Sequence, residues 1–101
     1  MTRKANIQDL DQLTELFDQY VVFYKSPSNY EKHYAFLKER LENNEAIVFV
    51  ACDDANPDKI IGFALNYITF SSLALNKIII LNDLFVDISA RKKGIGEKLI
   101  L

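Results

Sequence analysis

The chain has 101 residues, of which 50% are hydrophobic and 12% aromatic, and twelve basic against fourteen acidic side chains give a net charge of −2. This composition is typical of one packed globular domain rather than a disordered tail, and the charge disfavours a general nucleic-acid binder. Cys52 is the only cysteine, and no apolar run is long enough to cross a bilayer or to act as a secretory signal. We therefore expect one domain over residues 1–101, in the cytoplasm, without nucleic-acid or membrane partners.

The first predicted elements are a short strand at residues 2–5 and an amphipathic helix. Apolar residues recur at helical spacing between residues 10 and 24. Asn6 stands where a helix cap is expected, and Asp9 follows three residues later in a capping-box-like arrangement. The helix must pack its apolar face on another element.

A second helix is predicted after the break at KSPSN. Ser28 and Glu31 form an S-x-x-E capping box, and the helical pattern ends near residues 43–44. His33 is expected on the solvent-facing side of this helix, where it has no catalytic role.

Three strands follow the helices. The β-branched and aromatic run at 46–52 predicts a buried strand, 60–70 its antiparallel partner, and 77–87 a third strand. A further helix starts at Gly94. The order β-α-α-β-β-β-α predicts an α/β (α+β) fold, with a mainly antiparallel mixed sheet and helices packed on it.

The third strand is interrupted by two polar residues, Asn82 and Asp83. Burial of an amide beside a carboxylate costs several kcal/mol unless both find partners. Successive polar residues also break the two-residue alternation, so we expect a β-bulge, a feature common next to active sites. The flanking residues 78–81 and 84–86 are expected to be buried. The alternative is that both polar residues face solvent at a sheet edge.

The segment RKKGIG, at residues 91–96, lies between this strand and the last helix. Glycines allow the main chain to approach an anion, and the helix start and three cations add positive charge. The segment does not match the dinucleotide-binding fingerprint G-x-G-x-x-G, because Leu99 stands where a third small residue is needed. The phosphate-binding Walker loop G-x-x-x-x-G-K-[ST] does not occur in the sequence. An anion site therefore remains possible, while a glycine turn without a ligand is the alternative.

The whole segment LNDLFVDISARKKGIGEKLI closely resembles motif A of the GNAT-type N-acetyltransferases, in which a strand leads into R/Q-x-x-G-x-G/A and a helix. Arg91, Gly94 and Gly96 hold the three defining positions. The predicted order of elements resembles the N-terminal half of that family. The stretches GFALNYITFSS and LNDLFV look most like its diamine acetyltransferase branch. The resemblance implies transfer of an acetyl group from acetyl-coenzyme A to a primary amine of a small molecule, either polyamine- or diamine-like or amino-acid-like.

The resemblance also implies roles for individual residues. Asp83 would orient or deprotonate the acceptor amine, beside Asn82, which is an amide where the branch often has Glu. Tyr24, in an aromatic cluster near the KSPSN loop, would border the acceptor, with core packing as the alternative. Main-chain groups would hold the pantetheine arm and the pyrophosphate of the coenzyme at the following positions: Leu84, Phe85, Val86, Arg91, Lys92, Lys93, Gly94, Ile95 and Gly96. No metal is implied.

Family members continue beyond motif A with further strands and helices. The resemblance therefore implies that residues 1–101 are a truncated acetyltransferase domain without the C-terminal half of the fold. Such a chain would bind coenzyme A without full activity, or would only self-associate. Alternatively, two copies would form a homodimer across the edge of the last strand.

Overall fold

The computed structural model describes residues 1–90 and 94–100. Its elements follow the predicted order: β1 (Thr2–Lys4), α1 (Leu10–Phe23), α2 (Tyr30–Glu42), β2 (Ala46–Cys52), β3 (Ile60–Ser71), β4 (Asn76–Val86) and α3 (Ile95–Ile100). The four strands form one antiparallel sheet in the order β1-β2-β3-β4. The predicted α+β class is therefore confirmed. None of the helices in the described part of the chain is long and apolar enough to cross a membrane.

Local sequence signals determine where the helices begin. Asn6 and Asp9 form the predicted capping box around a short 3-10 turn that leads into α1. The predicted cap of α2 at Ser28 is wrong, because the side chain of Asn29 accepts the hydrogen bond from the N–H of Lys32 at 3.2 Å. Ser28 lies one residue too early, and its hydroxyl donates to a carboxylate on α1.

The larger core lies between one face of the sheet and helices α1 and α2. It is built from apolar side chains on both layers, with Leu13, Leu37, Val48 and Phe63 each at most 1% exposed. This burial is the main favourable contribution to the fold, at about 25 cal/mol for each Å² of apolar surface removed from water.

The opposite face of the sheet carries a smaller core under α3. Ile95 and Leu99 of that helix pack on Ala51, Ile61 and Ala64 of the sheet. Gly62 on β3 allows this close approach. A Cβ atom there would lie 3.2 Å from the carbonyl oxygen of Phe85 and 3.3 Å from Cδ1 of Leu99.

The predicted β-bulge is present in β4. Leu65 pairs with Asp83 and the next residue, Asn66, pairs with Leu81, so Asn82 is the extra residue on the bulged strand. The bulge lies in the strand that the sequence motif singles out.

The predicted burial around the bulge is only partly correct. Phe85 is buried, and Leu84 and Val86 are half-buried. Residues 78–81 were expected to be buried but are 39–57% exposed. β4 is the last strand of the sheet in the described residues, so these side chains have a neighbouring strand on one side only.

Candidate active site

A carboxylate on β4 is held by two donors from different elements. The hydroxyl of Tyr20, on α1, donates to Oδ1 of Asp83 at 2.6 Å. The side-chain amide of Asn82 donates to Oδ2 of Asp83 at 2.8 Å. The structure therefore brings together the two residues predicted as catalytic and adds Tyr20, which was predicted only as a member of the aromatic cluster near the KSPSN loop.

The β-bulge explains why these side chains can meet. Adjacent residues of a regular strand point to opposite faces, so the side chains of Asn82 and Asp83 would be separated by the sheet. The extra residue interrupts this alternation. Asp83 lies opposite Leu65 and Phe85 lies opposite Phe63, and these cross-strand pairs face α1 and α2.

Two tyrosine phenols near this carboxylate have raised pKa values. Burial is the main cause for Tyr20, and the hydrogen bond to Asp83 and its charge raise the pKa of the phenol further. Burial and the charge of Asp83 also raise the pKa of Tyr67 on β3. Both phenols therefore stay neutral at physiological pH, and Tyr20 remains a hydrogen-bond donor.

Aromatic rings surround the Tyr20 side of the site. The ring centroid of Tyr20 lies 5.0 Å from that of Tyr24, 5.8 Å from Phe85 and 5.9 Å from Phe63. Tyr24, the predicted acceptor-binding residue, is 65% exposed. It therefore lies between the buried aromatic rings and solvent, and does not belong to the buried core.

A cleft of about 310 Å³ starts at this tyrosine and runs along the end of β4 to α3. Its lining joins acceptor-side and coenzyme-side residues of the prediction: Phe23, Tyr24, Leu84, Phe85, Val86 and Gly96. Tyr24, predicted on the acceptor side, therefore shares one cleft with four of the predicted coenzyme residues.

The main chain of β4 presents different groups to this cleft at successive residues. The N–H of Asp87 donates to the carbonyl oxygen of Ile61 at 2.8 Å. Because hydrogen-bonded and non-hydrogen-bonded pairs alternate in an antiparallel ladder, Phe85 directs its main chain to β3, and Leu84 directs its N–H and C=O to the outer edge. Among the predicted pantetheine residues, Leu84 thus offers an edge-facing main chain, and Phe85 contributes its side chain to the core.

The glycines of the motif differ in their surroundings. Gly94 has φ +73°, the left-handed conformation that favours glycine. Gly96 lines the cleft, and a Cβ atom placed there would have no heavy atom within 4 Å from the described part of the chain outside its own helix. Ile95, between them, buries its side chain against the sheet. The predicted coenzyme residues Arg91, Lys92 and Lys93 lie outside the described residues.

A second polar cluster fixes the loop between α1 and α2, next to the site. Asp18 accepts the N–H of Asn29 at 2.9 Å and the hydroxyl of Ser28, and lies 2.7 Å from Nδ1 of His33. The expectation that His33 faces solvent is wrong, since its side chain is 16% exposed and its ring packs edge-on against Phe17 at 5.3 Å. In the described residues no group of three or more His, Cys, Asp or Glu side chains could hold a metal ion.

The comparison with known families identifies the family to which this fold belongs. Residues 10–101 match the Acetyltransferase (GNAT) family, and the chain belongs to that family. The predicted resemblance is therefore confirmed, and the diamine acetyltransferase branch is compatible with the match.

Individual relatives support the same assignment. The chain is 43% identical over 98 residues to the uncharacterized N-acetyltransferase YhfO of Bacillus subtilis, covering 97% of this chain and 64% of that protein. It is 34% identical over 97 residues to a probable acetyltransferase of Haemophilus influenzae, covering 96% and 65%. A crystal structure of a probable acetyltransferase matches with a TM-score of 0.92 and 35% identity, covering 99% of this chain and 66% of that one. The chain thus spans just under two thirds of the length of these relatives.

Proposed function

We propose that the protein transfers an acetyl group from acetyl-coenzyme A to a primary amine of a small molecule, either polyamine- or diamine-like or amino-acid-like. Acetyl-coenzyme A is the acetyl donor of the GNAT family to which the chain belongs. The observation that carries the proposal is the carboxylate of Asp83, held between Tyr20 and Asn82 on the residue that precedes Leu84 of the cleft lining.

The chemistry of the acceptor gives this carboxylate its role. A primary amine with a pKa of about 10.4 is mostly protonated at neutral pH and cannot attack a thioester. Asp83 would attract the ammonium group and accept its proton, directly or through a water molecule. Asn82 would orient the carboxylate and would not itself accept the proton, because an amide is not a base at neutral pH.

The cleft along β4 fits the pantetheine arm of the coenzyme. An extended chain can hydrogen-bond to the outward main chain of Leu84, in the manner of an added strand. Gly96 leaves the cleft wall without a side chain, so a ligand can approach the main chain there. Gly94 and the basic residues Arg91, Lys92 and Lys93 would hold the pyrophosphate. A main-chain N–H of β4 would stabilise the negative charge that develops on the acetyl oxygen.

The acceptor side fits a cationic head group. Asp83 supplies one negative charge, and Tyr20 and Tyr67 add neutral phenols with raised pKa values. The exposed ring of Tyr24 can contact an ammonium group through a cation–π interaction, worth about 0.5–1 kcal/mol at an exposed site. These groups favour an amine over an alcohol or an anionic acceptor.

Calorimetric titration with acetyl-coenzyme A and a thiol-release assay on a panel of amines would test the proposal. We expect Asp83→Asn to lower kcat/KM about 10²–10⁴-fold, because a general base is removed, and to leave the affinity for the coenzyme unchanged. The matched control is Asp58→Asn, an exposed carboxylate in the loop before β3. Equal turnover by Asp83→Asn and wild type would contradict the role of Asp83.

A second candidate function follows from the apolar surface on the β3–β4 hairpin. Phe70, Leu73 and Leu75 are 72–100% exposed, and the chain spans 64% of its Bacillus subtilis relative. In this alternative, residues 1–101 bind coenzyme A without full activity, or only self-associate. Binding without turnover would support it.

We also propose a cytoplasmic homodimer that pairs through the edge of β4 at residues 78–81, which leaves the main chain of Leu84 to the coenzyme. Exposed apolar residues on an edge strand favour pairing with another chain. Sedimentation at several protein concentrations would test the dimer, and a monomer at every concentration would count against it.

A further inference from the structure

We infer that Tyr20 is a positioning residue of the acceptor site: its hydroxyl holds the carboxylate of Asp83 in the orientation that receives the amine. The inference rests on the proposed function of Asp83. It assigns a role in the reaction to α1, an element that the sequence motif on β4 does not include.

The hydrogen bond that carries this inference is short and comes from a distant part of the chain. The distance of 2.6 Å between Oη of Tyr20 and Oδ1 of Asp83 lies in the range of bonds between a hydroxyl and a carboxylate. The two residues are 63 positions apart. The bond therefore connects α1 directly to the bulge in β4.

The ring that carries the hydroxyl has little freedom to move. It lies 5.9 Å from Phe17 and 5.9 Å from Phe63, and 5.8 Å from Phe85. Phe63 is fully buried and Phe85 is 5% exposed. A ring fixed by buried neighbours places its hydroxyl at a defined point, which is what a positioning group requires.

The carboxylate depends on such a donor for its orientation. Rotation about the last torsion of an aspartate side chain has a broad energy profile, so the plane of the carboxylate is set by its hydrogen bonds. Asn82 is a neighbour on the same strand and moves with Asp83, whereas Tyr20 holds Oδ1 from the helix layer.

The two hydrogen bonds leave room for the amine. An ionised carboxylate offers about four lone-pair positions, two on each oxygen. Tyr20 and Asn82 occupy one position on each oxygen. Among the described residues no other hydrogen bond to this carboxylate is present, so one position on each oxygen is left for an ammonium group or a water molecule.

The test is a double-mutant cycle between Tyr20→Phe and Asp83→Asn, with kcat/KM for the amine as the readout. The change to Phe keeps the ring and removes the hydroxyl. We expect Tyr20→Phe to lower kcat/KM for the amine about 10-fold in the wild-type background without changing the affinity for acetyl-coenzyme A. In the Asp83→Asn background we expect a further change of less than about twofold, because residues that act through one another are not additive. Tyr34→Phe, whose ring stacks on Tyr30 in α2, is the matched control and should behave as wild type.

The outcomes separate this inference from the proposed function. Turnover by Asp83→Asn at the wild-type rate would contradict the proposed catalytic role of Asp83 and, with it, the positioning role of Tyr20. Loss of turnover in Asp83→Asn together with full activity in Tyr20→Phe would contradict only the positioning role of Tyr20. An equal loss from Tyr20→Phe in both backgrounds would show that Tyr20 acts on packing and not through Asp83.

A second measurement applies to the chain even without turnover. The same cycle can be followed by the affinity for the amine. An equal loss of affinity from Tyr20→Phe in both backgrounds would show that the hydroxyl does not act through Asp83.

Discussion

Gly96→Ala separates the stability of α3 from the function of the cleft. A new Cβ atom at Gly96 would have no heavy atom of the described residues outside its own helix within 4 Å, and the residue lies in a helix at the cleft wall. The added methyl group would therefore disturb none of these described neighbours. It would occupy space that the proposed coenzyme needs.

The expected effect on stability has a sign and a size. Alanine is favoured over glycine in a helix by about 0.5–1 kcal/mol. With no clash to offset this gain, we expect the free energy of unfolding to rise by up to about 1 kcal/mol, which raises Tm by about 4 °C for a domain of this size. The affinity for acetyl-coenzyme A should fall about 10-fold or more, equivalent to about 1.4 kcal/mol.

The other two glycines serve as controls for this substitution. Gly62→Ala would place a Cβ atom 3.2 Å from the carbonyl oxygen of Phe85, and such overpacking costs about 1–3 kcal/mol. Gly94→Ala would force alanine to φ +73°, at a cost of about 1–2 kcal/mol. Gly96→Ala should thus be the one stabilised variant of the three.

Urea unfolding and calorimetric titration with acetyl-coenzyme A would be measured on the same preparations. Unchanged affinity in a stabilised Gly96→Ala variant would refute the proposal that the coenzyme passes Gly96. A destabilised Gly96→Ala variant would instead contradict the description of Gly96 as a helical residue with open space around its Cβ position.

Two further predictions concern pH. The pKa of Tyr20 is raised in the folded state above about 10, so its contribution to stability is fully present below pH 10 and is lost as the pH rises through the folded-state value. Urea unfolding should show a shallower alkaline decline for Tyr20→Phe, and identical slopes would contradict the shift. The hydrogen bond from Arg3 is the main cause that lowers the pKa of Asp9, so this stability is present above about pH 4 and is lost as the pH falls. Asp9→Asn should cost about 1–2 kcal/mol at pH 7, since it also weakens the cap at Asn6, and should flatten the acid limb of the stability curve.

Signals within a few residues of each other predicted the elements correctly. The capping box at Asn6 and the bulge at Asn82 were both predicted, because a cap and a break in alternation are local patterns. The cap of α2 at Ser28 was wrong by one residue, since Ser28 and Asn29 can both cap a helix and the sequence does not show which one precedes the first turn.

Features that depend on distant residues were not predictable in the same way. The apolar character of residues 78–81 predicted that they are buried, whereas they are exposed. Whether a strand lies at the edge of a sheet depends on its neighbours in space, which the local sequence does not show. The helical pattern of residues 10–24 placed Tyr20 on the apolar face of α1. No residue near Tyr20 in the sequence indicates that its hydroxyl bonds to a carboxylate. That contact arises from the register of β3 and β4 and from the packing of α1 on the sheet.

The bulge at Asn82 has no evident role in the sheet itself. If Asn82 were removed, Leu65 would still pair with Asp83 and Asn66 with Leu81, and the strand would alternate regularly through both pairs. The extra residue costs a locally disrupted ladder. Its visible consequence is that the side-chain amide of Asn82 lies 2.8 Å from the carboxylate of Asp83. The residue after Asp83 is Leu84, which lines the cleft. The sheet does not require this feature, and the hydrogen bond that it creates supports the proposed role of Asp83.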